Sequence, residues 1–389
     1  MTGENLAKLT PSRVVLEGVP FVGFYDQTQQ RDKARCPEDV CFPSSMRAVL
    51  EYLGEPDWGC KHAKGREPCR VHCTYSYLMG VTGCAFQLSW RPGWHEDNVE
   101  IMYMSDDPMA PFARAFRSVG YGFEVLQPVE GADNEAAWRQ RIGESIRRGV
   151  PALAFGVIGP PECCVVTGYD EDGDVLIGWN CFQQMPPFNA GLEYEPTGEF
   201  RKRDWFKDTQ SPIIVGEKQP CPPLKELYRD ALQWALQVAR TPLVTRYDHA
   251  VRHNGLAAYT AWAEHLERDS EFATEDMAAL WQRFNVHDSA VGVVAEGRWY
   301  GGQFLMEAIE HLPYGMAEDL LRAAACYAGE HDLMWQIWDA VGGIGRSEDR
   351  VRNLARPEVR RKIAALIVRA RDKDAEAAEH IERALSFYR

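Results

Sequence analysis

The sequence predicts an α+β domain over residues 1–217 followed by an all-α helical bundle over 224–389, and three observations carry that division. Short β-type runs and a hairpin signal fill the first part. A proline-rich connector, Lys218-Gln219-Pro220-Cys221-Pro222-Pro223, marks a break. Beyond it the strand signals nearly vanish and apolar residues recur at helical spacing. At 389 residues the chain also exceeds the usual size of one core, so two domains are the default expectation.

The first β-type runs are Val14-Val15-Leu16 and Phe21-Val22-Gly23-Phe24-Tyr25. A helix is predicted from Cys41, because Met46, Val49, Leu50 and Leu53 fall at i, i+3, i+4 and i+7. Pro43 suits its first turn and Gly54 its C-terminal cap. Cys41 thus stands at a helix N-terminus, where unsatisfied N–H groups and the positive end of the macrodipole favour thiolate over thiol. Next comes a group of metal-ligand types, Cys60, His62, Cys69, His72 and Cys73, which can satisfy tetrahedral zinc or be incidental to a polar loop. The aromatic, turn-rich segment from Gly83 to Asn98 includes His95. Trp138, Ile142 and Ile146 mark a helix that leads through Arg148-Gly149-Val150-Pro151 into the apolar strand Ala152 to Val157. The strand Cys163 to Asp170 then pairs with Val175 to Asn180 through the Asp172-Gly173 turn.

In the second half, Leu227, Ala231, Trp234, Ala235 and Val238 repeat at helical spacing, as do Leu256, Tyr259, Ala263 and Leu266. Further periodic stretches at 274–284, 303–312, 316–338 and 357–388 bring the bundle to about six or seven helices. His249 and His253, four apart, read as a solvated helix face and not as a metal site, given Arg246, Asp248 and Arg252 beside them. Gly301-Gly302 and Gly342-Gly343 read as helix breaks, and Met334, Trp335 and Trp338 as a core stripe.

Asp and Glu outnumber Lys and Arg 57 to 43, a net charge of −14, which argues against a nucleic-acid backbone or an anionic membrane as the main partner. Met1 to Lys8 lacks an apolar signal core and no apolar run approaches about 18 residues, so a soluble, cytoplasmic protein is expected. Eleven cysteines then suggest thiols, a metal site or redox chemistry before a disulfide framework.

The Cys41 helix, the strand Cys163-Cys164-Val165-Val166-Thr167-Gly168-Tyr169-Asp170 and its partner ending at Asn180 resemble papain-like cysteine enzymes. The similarity is to the leader-peptide peptidases of bacteriocin exporters and to the N-terminal domain of the butirosin biosynthesis protein H family. That family also continues into helical sequence. The resemblance implies a papain-like first domain with Cys41 as nucleophile and Asn180 as the residue that orients the base. It also implies an acyl donor that is either an amide or a thioester on an acyl carrier protein. Cys163 stands where the family has its histidine, and no histidine occurs between His95 and His249. A thiol, with a reference pKa of about 8.5 against about 6.5 for imidazole, is no simple substitute. The family's oxyanion-hole glutamine has no near counterpart either: Gln27, Gln29 and Gln30 lie far upstream, and Arg35 holds the nearer position.

Three readings follow. The first is a thiol acyltransferase or amide/thioester hydrolase acting on a peptide or small molecule, with Cys41, Cys163, Asn180 and His95 as catalytic candidates and no cofactor. His62, His72 and His287 compete with His95 as base. The second is an inactive binding protein of the same fold. The third is a redox or metal protein in which Cys41 and Cys163 face each other. Because the connector is short and stiff, the helices after Leu224 are expected to close one side of the Cys41 site.

Overall fold

The computed structural model describes residues 11–27, 36–59, 73–245 and 249–387, which form two compact units. Of these residues, 11–27, 36–57, 73–75 and 121–219 form the first unit. Residues 58–59, 76–120, 220–245 and 249–387 form the second. The units therefore differ from the expected division at 217–224, because 76–120 groups with the later helices.

The first unit is built on an antiparallel eight-stranded sheet. Along the chain its elements are β1 (Val14–Val15), α1 (Cys41–Tyr52), the start of α2 (Cys73–Thr82), and, after β2 (Ser89–Trp90) and α3 (Ala110–Val119) of the second unit, β3 (Tyr121–Val125) and α4 (Asn134–Arg147). Then come β4 (Ala152–Phe155), β5 (Cys163–Asp170), β6 (Val175–Trp179), β7 (Glu193–Tyr194), β8 (Phe200–Arg203) and β9 (Ile213–Lys218). Spatial order is β3-β9-β4-β5-β6-β8-β7, with β1 added to β5. The first half of β5 pairs with β4, Val166 opposite Ala152, and the second half with β1, Gly168 opposite Val15. Gly168 permits this exchange, since a Cβ there would lie 2.6 Å from the Val14 carbonyl oxygen. A register shift between Val166 and Gly168 accompanies it on the β6 side.

β5 is buried over seven of its eight residues, which explains its continuous apolar run in place of alternation. Both α1 and α4 pack against it. Every residue of α1 from Cys41 to Leu50 is buried, so the helix is interior and not a surface amphipath. That setting encloses Arg47, which pairs with Glu38 and Glu51, each at 3.1 Å, and donates to the Phe21 carbonyl at 3.2 Å. Such pairing is what makes a buried guanidinium tolerable.

The second unit is helical but not all-α. A three-stranded sheet joins β10 (Leu243–Thr245), β11 (Val251–Asn254) and β2. His253 therefore lies on a strand, and His249 adopts a left-handed φ of 56°, so the expected helix with a histidine pair is absent there. The helices after Leu224 are α5 (Leu224–Arg240), α6 (Leu256–Glu267), α7 (Asp269–Phe272), α8 (Met277–Ala308), α9 (Ala317–Val341), α10 (Glu348–Ala355) and α11 (Pro357–Ser386). Gly301 and Gly302 sit inside α8, where small size serves packing: a Cβ at Gly301 would meet the Phe86 ring at 3.3 Å. Gly342 and Gly343 do end a helix, both at positive φ. Met334 is core, whereas Trp335 is 45% exposed. At the centre of α8, α9 and α11 a buried Arg298 bonds Asp374 at 2.7 Å and the Tyr259 hydroxyl at 2.8 Å, with Glu330 alongside. No helix among the described residues is long and apolar enough to cross a membrane.

Candidate functional site

Cys41 begins α1 after the extended Val40, whose N–H donates to the Tyr75 hydroxyl at 3.0 Å. Its side chain is 3% exposed and its thiol hydrogen-bonds the Cys181 thiol. The Glu162 carboxylate also accepts from the Cys41 thiol. Cys163 lies close enough to interact electrostatically with both Cys41 and Cys181. Thus α1, the residue before β5, β5 itself and the turn after β6 meet at one cluster.

Glu162 owes its position to the β4–β5 loop. Gly156 and Gly159, at φ of 77° and 75°, turn the chain, and Pro160-Pro161 delivers it to β5. The Glu162 carbonyl accepts from Gly156 N–H at 3.3 Å, and its own N–H donates to the Pro160 carbonyl at 2.6 Å. Although the residue as a whole is only half-buried, its carboxyl end is enclosed. Burial pushes that carboxyl up to about 7, against the opposing hydrogen bond from Cys41.

The Cys41 thiol is likewise pushed well above its ordinary range, first by its hydrogen bond to Cys181, then by burial and by the negative charge of Glu162. This overturns the expectation of a dipole-stabilised thiolate. A helix N-terminus contributes about 0.3–1 kcal/mol at exposed sites, and the Cys181 hydrogen bond, desolvation and the Glu162 charge act against it here. Cys163, fully buried, is raised mainly by burial and is hydrogen-bonded by Ser45, whose hydroxyl also donates to the Cys163 carbonyl at 3.4 Å. Burial also holds Cys164 up at about 12. Nearby, burial raises the Asp39 carboxyl to about 7 while it accepts from Tyr25 N–H at 2.7 Å.

Asn180 lies beside the cluster, but its carboxamide has a different task from the one the resemblance implies. Oδ1 accepts from Phe182 N–H at 2.7 Å, and the Asn180 N–H donates to Gln183 Oε1 at 2.9 Å, closing a turn that presents Cys181. Its Nδ2 approaches the Cys164 sulfur yet makes no hydrogen bond of ordinary geometry. Gln27, distant in sequence, is brought in: its Nε2 donates to the Cys181 carbonyl at 3.0 Å. His95 belongs to the other unit, at the start of the 3₁₀ turn Glu96–Val99, and is no part of this cluster within the first unit. His287 is a core residue of the helical unit, accepting from Trp262 Nε1 at 3.1 Å and held down to about 3 by burial. No histidine occurs among the described residues of the first unit. Cys60, His62, Cys69 and His72, with Gln29, Gln30 and Arg35, lie outside the described residues. Among the described residues no three His, Cys, Asp or Glu side chains are grouped as metal ligands.

Sequence reasoning missed Glu162 and Cys181. A signal for Glu162 existed: it is the only charged residue between Arg148 and Asp170, in the middle of an apolar hairpin. Nothing local marks Cys181 as the thiol that meets Cys41. No protein-family model matches the chain, and no curated protein matches its sequence.

Proposed function

We propose that the first unit performs thiol-based acyl transfer or hydrolysis on a papain-like framework, with Cys41 as nucleophile and Glu162 in place of the histidine. The observation that carries this reading is the hydrogen bond between the Cys41 thiol and a carboxyl raised to about 7. A base of that pKa is about half ionised at neutral pH and is strong enough to take a proton in one step and return it in the next. Ionised Glu162 accepts the thiol proton while Cys41 sulfur bonds to the carbonyl carbon of a thioester or amide. Protonated Glu162 then gives that proton to the departing thiol or amine as the bond to carbon breaks. Water or an acceptor nucleophile releases the acyl group from Cys41, again with Glu162 as base. The Cys41 backbone N–H, and the second N–H of the Gln27 amide whose other N–H holds the Cys181 carbonyl, are candidate donors to the developing oxyanion. Substrates in keeping with this chemistry are a peptide or small-molecule amide, or a thioester on an acyl carrier protein.

The test is turnover of an activated acyl thioester as a function of pH. Cys41→Ala is expected to abolish it. Glu162→Gln should slow it by about 10²–10⁴-fold and remove the rise in rate through about pH 7. Full activity in Cys41→Ala ends the proposal.

A second reading, an inactive binding protein, is favoured by the 3% exposure of Cys41 and its strongly raised pKa. Iodoacetamide separates the two. Labelling of Cys41 ahead of the other thiols in the folded protein supports the enzyme, and labelling only after denaturation supports the binding module.

A further inference from the structure

Cys181 is explained by neither the papain-like resemblance nor the acyl-transfer steps. Three further thiols, Cys163, Cys164 and Cys181, lie in this part of the sheet, but they are not equivalent. Cys163 and Cys164 are successive residues of β5, so their side chains point to opposite faces of the sheet. Cys163 is engaged with Ser45, and Cys164 lies by Asn180. Of these three thiols, Cys181 is the one that hydrogen-bonds the Cys41 thiol. Its backbone is pinned on both sides, by Gln27 at its carbonyl and by Asn180 at the next N–H, at 3.0 and 2.7 Å. A buried thiol held this firmly against a nucleophile is placed to react with it, and two hydrogen bonds of the strand–turn segment keep its backbone there.

We propose that Cys181 is the resolving partner of Cys41, so that hydroperoxide converts the pair to a Cys41–Cys181 disulfide that reversibly silences the site. The regulatory part of this inference rests on Cys41 being the nucleophile proposed above. In the first step Cys41 sulfur attacks a peroxide oxygen while Glu162 accepts the thiol proton. The S–O bond forms, the O–O bond breaks, and the departing hydroxide takes that proton to leave as water. Cys41 is now a sulfenic acid, oxidised by two electrons. In the second step Cys181 sulfur attacks Cys41 sulfur, the S–S bond forms, the S–O bond breaks, and hydroxide leaves with the Cys181 proton as a second water. A thiol reductant reverses the change by exchange.

The experiment uses the full reduced chain, treated with hydrogen peroxide near one equivalent, quenched with iodoacetamide, digested without reductant and mapped by mass spectrometry. The expected result is a Cys41–Cys181 linked peptide as the main oxidised species, lost on dithiothreitol treatment. In Cys181→Ser, given a further equivalent of hydrogen peroxide, Cys41 sulfenic acid should pass on to sulfinic acid that dithiothreitol does not reverse. Wild-type mapping needs no variant to fold, so it decides the matter alone: Cys41 recovered as sulfinic acid, or linked to Cys163, overturns the proposal. Thioester turnover is followed in parallel aliquots withdrawn before alkylation and digestion, and should fall and recover with the linked peptide. A linked peptide with undiminished turnover overturns the silencing role. Loss of the acyl-transfer reading itself shows separately, as unchanged turnover in reduced Cys41→Ala.

Discussion

Replacing Glu162 by Gln should stabilise the first unit at neutral and alkaline pH while it removes the proposed base. Glu162→Gln keeps the side chain's shape and cannot ionise, so it mimics the protonated carboxyl. In the folded protein burial raises that carboxyl from 4.5 to about 7. A raised carboxyl binds its proton more tightly folded than unfolded. Its favourable contribution is therefore complete below about pH 4.5 and is lost as pH rises through about 7. At about 1.4 kcal/mol for each pH unit, the wild type is penalised by about 3 kcal/mol above pH 7, an upper figure because the residue keeps partial contact with water. Asp39 carries a penalty of the same sign, but it is present in both proteins and cancels in the comparison. Native-state amide exchange of the β5 residues Val165 to Gly168 reads the difference. Protection in the variant should exceed wild type by up to about a hundredfold at about pH 8, and the two should converge near pH 4.5. A difference that does not change with pH, or a variant that is less protected at pH 8, would refute the buried-carboxyl argument and with it the tuned base.

Four further outcomes are expected. Asn180→Ala removes the acceptor for Phe182 N–H and should cost about 1 kcal/mol in denaturant unfolding, with a lower yield of the Cys41–Cys181 linked peptide but less than a tenfold change in thioester turnover; a far larger kinetic loss would restore Asn180 as a base-orienting residue. Cys163→His, which the papain-like resemblance would favour, should bring no gain in rate and should lose about 1–3 kcal/mol, because the position is fully buried against Ser45 and the larger ring would overpack it. Gly178→Ala sets a Cβ 2.0 Å from the Val165 carbonyl oxygen between β5 and β6, so roughly 3 kcal/mol or more should be lost, measured by denaturation or as insoluble expression. In the helical unit, Arg298→Met leaves Glu330 and Asp374 without their cation and should cost about 3–5 kcal/mol in urea unfolding.

Local pattern was enough to place α1 from its apolar spacing, the β5–β6 hairpin from its Asp172-Gly173 turn, and the largely helical chain after Pro223, because each depends on residues within a few positions of one another. The same pattern located Cys41 at a helix start and Cys163 at a strand start. It failed where the backbone answers to distant partners. β11 pairs with β10 just before it and extends that hairpin onto β2, some 160 residues earlier, and Trp335 faces outward although its periodicity matches its buried neighbours. The site was decided the same way. Cys181 meets Cys41, and Gln27 meets the Cys181 carbonyl 154 residues away, only because β6 is the sheet neighbour of β5 and α1 packs on β5. Protonation, too, was set by the tertiary structure. The helix dipole visible in the sequence favours a thiolate, but the hydrogen bond to Cys181, burial and the carboxyl of Glu162 together push the Cys41 thiol well above its ordinary range.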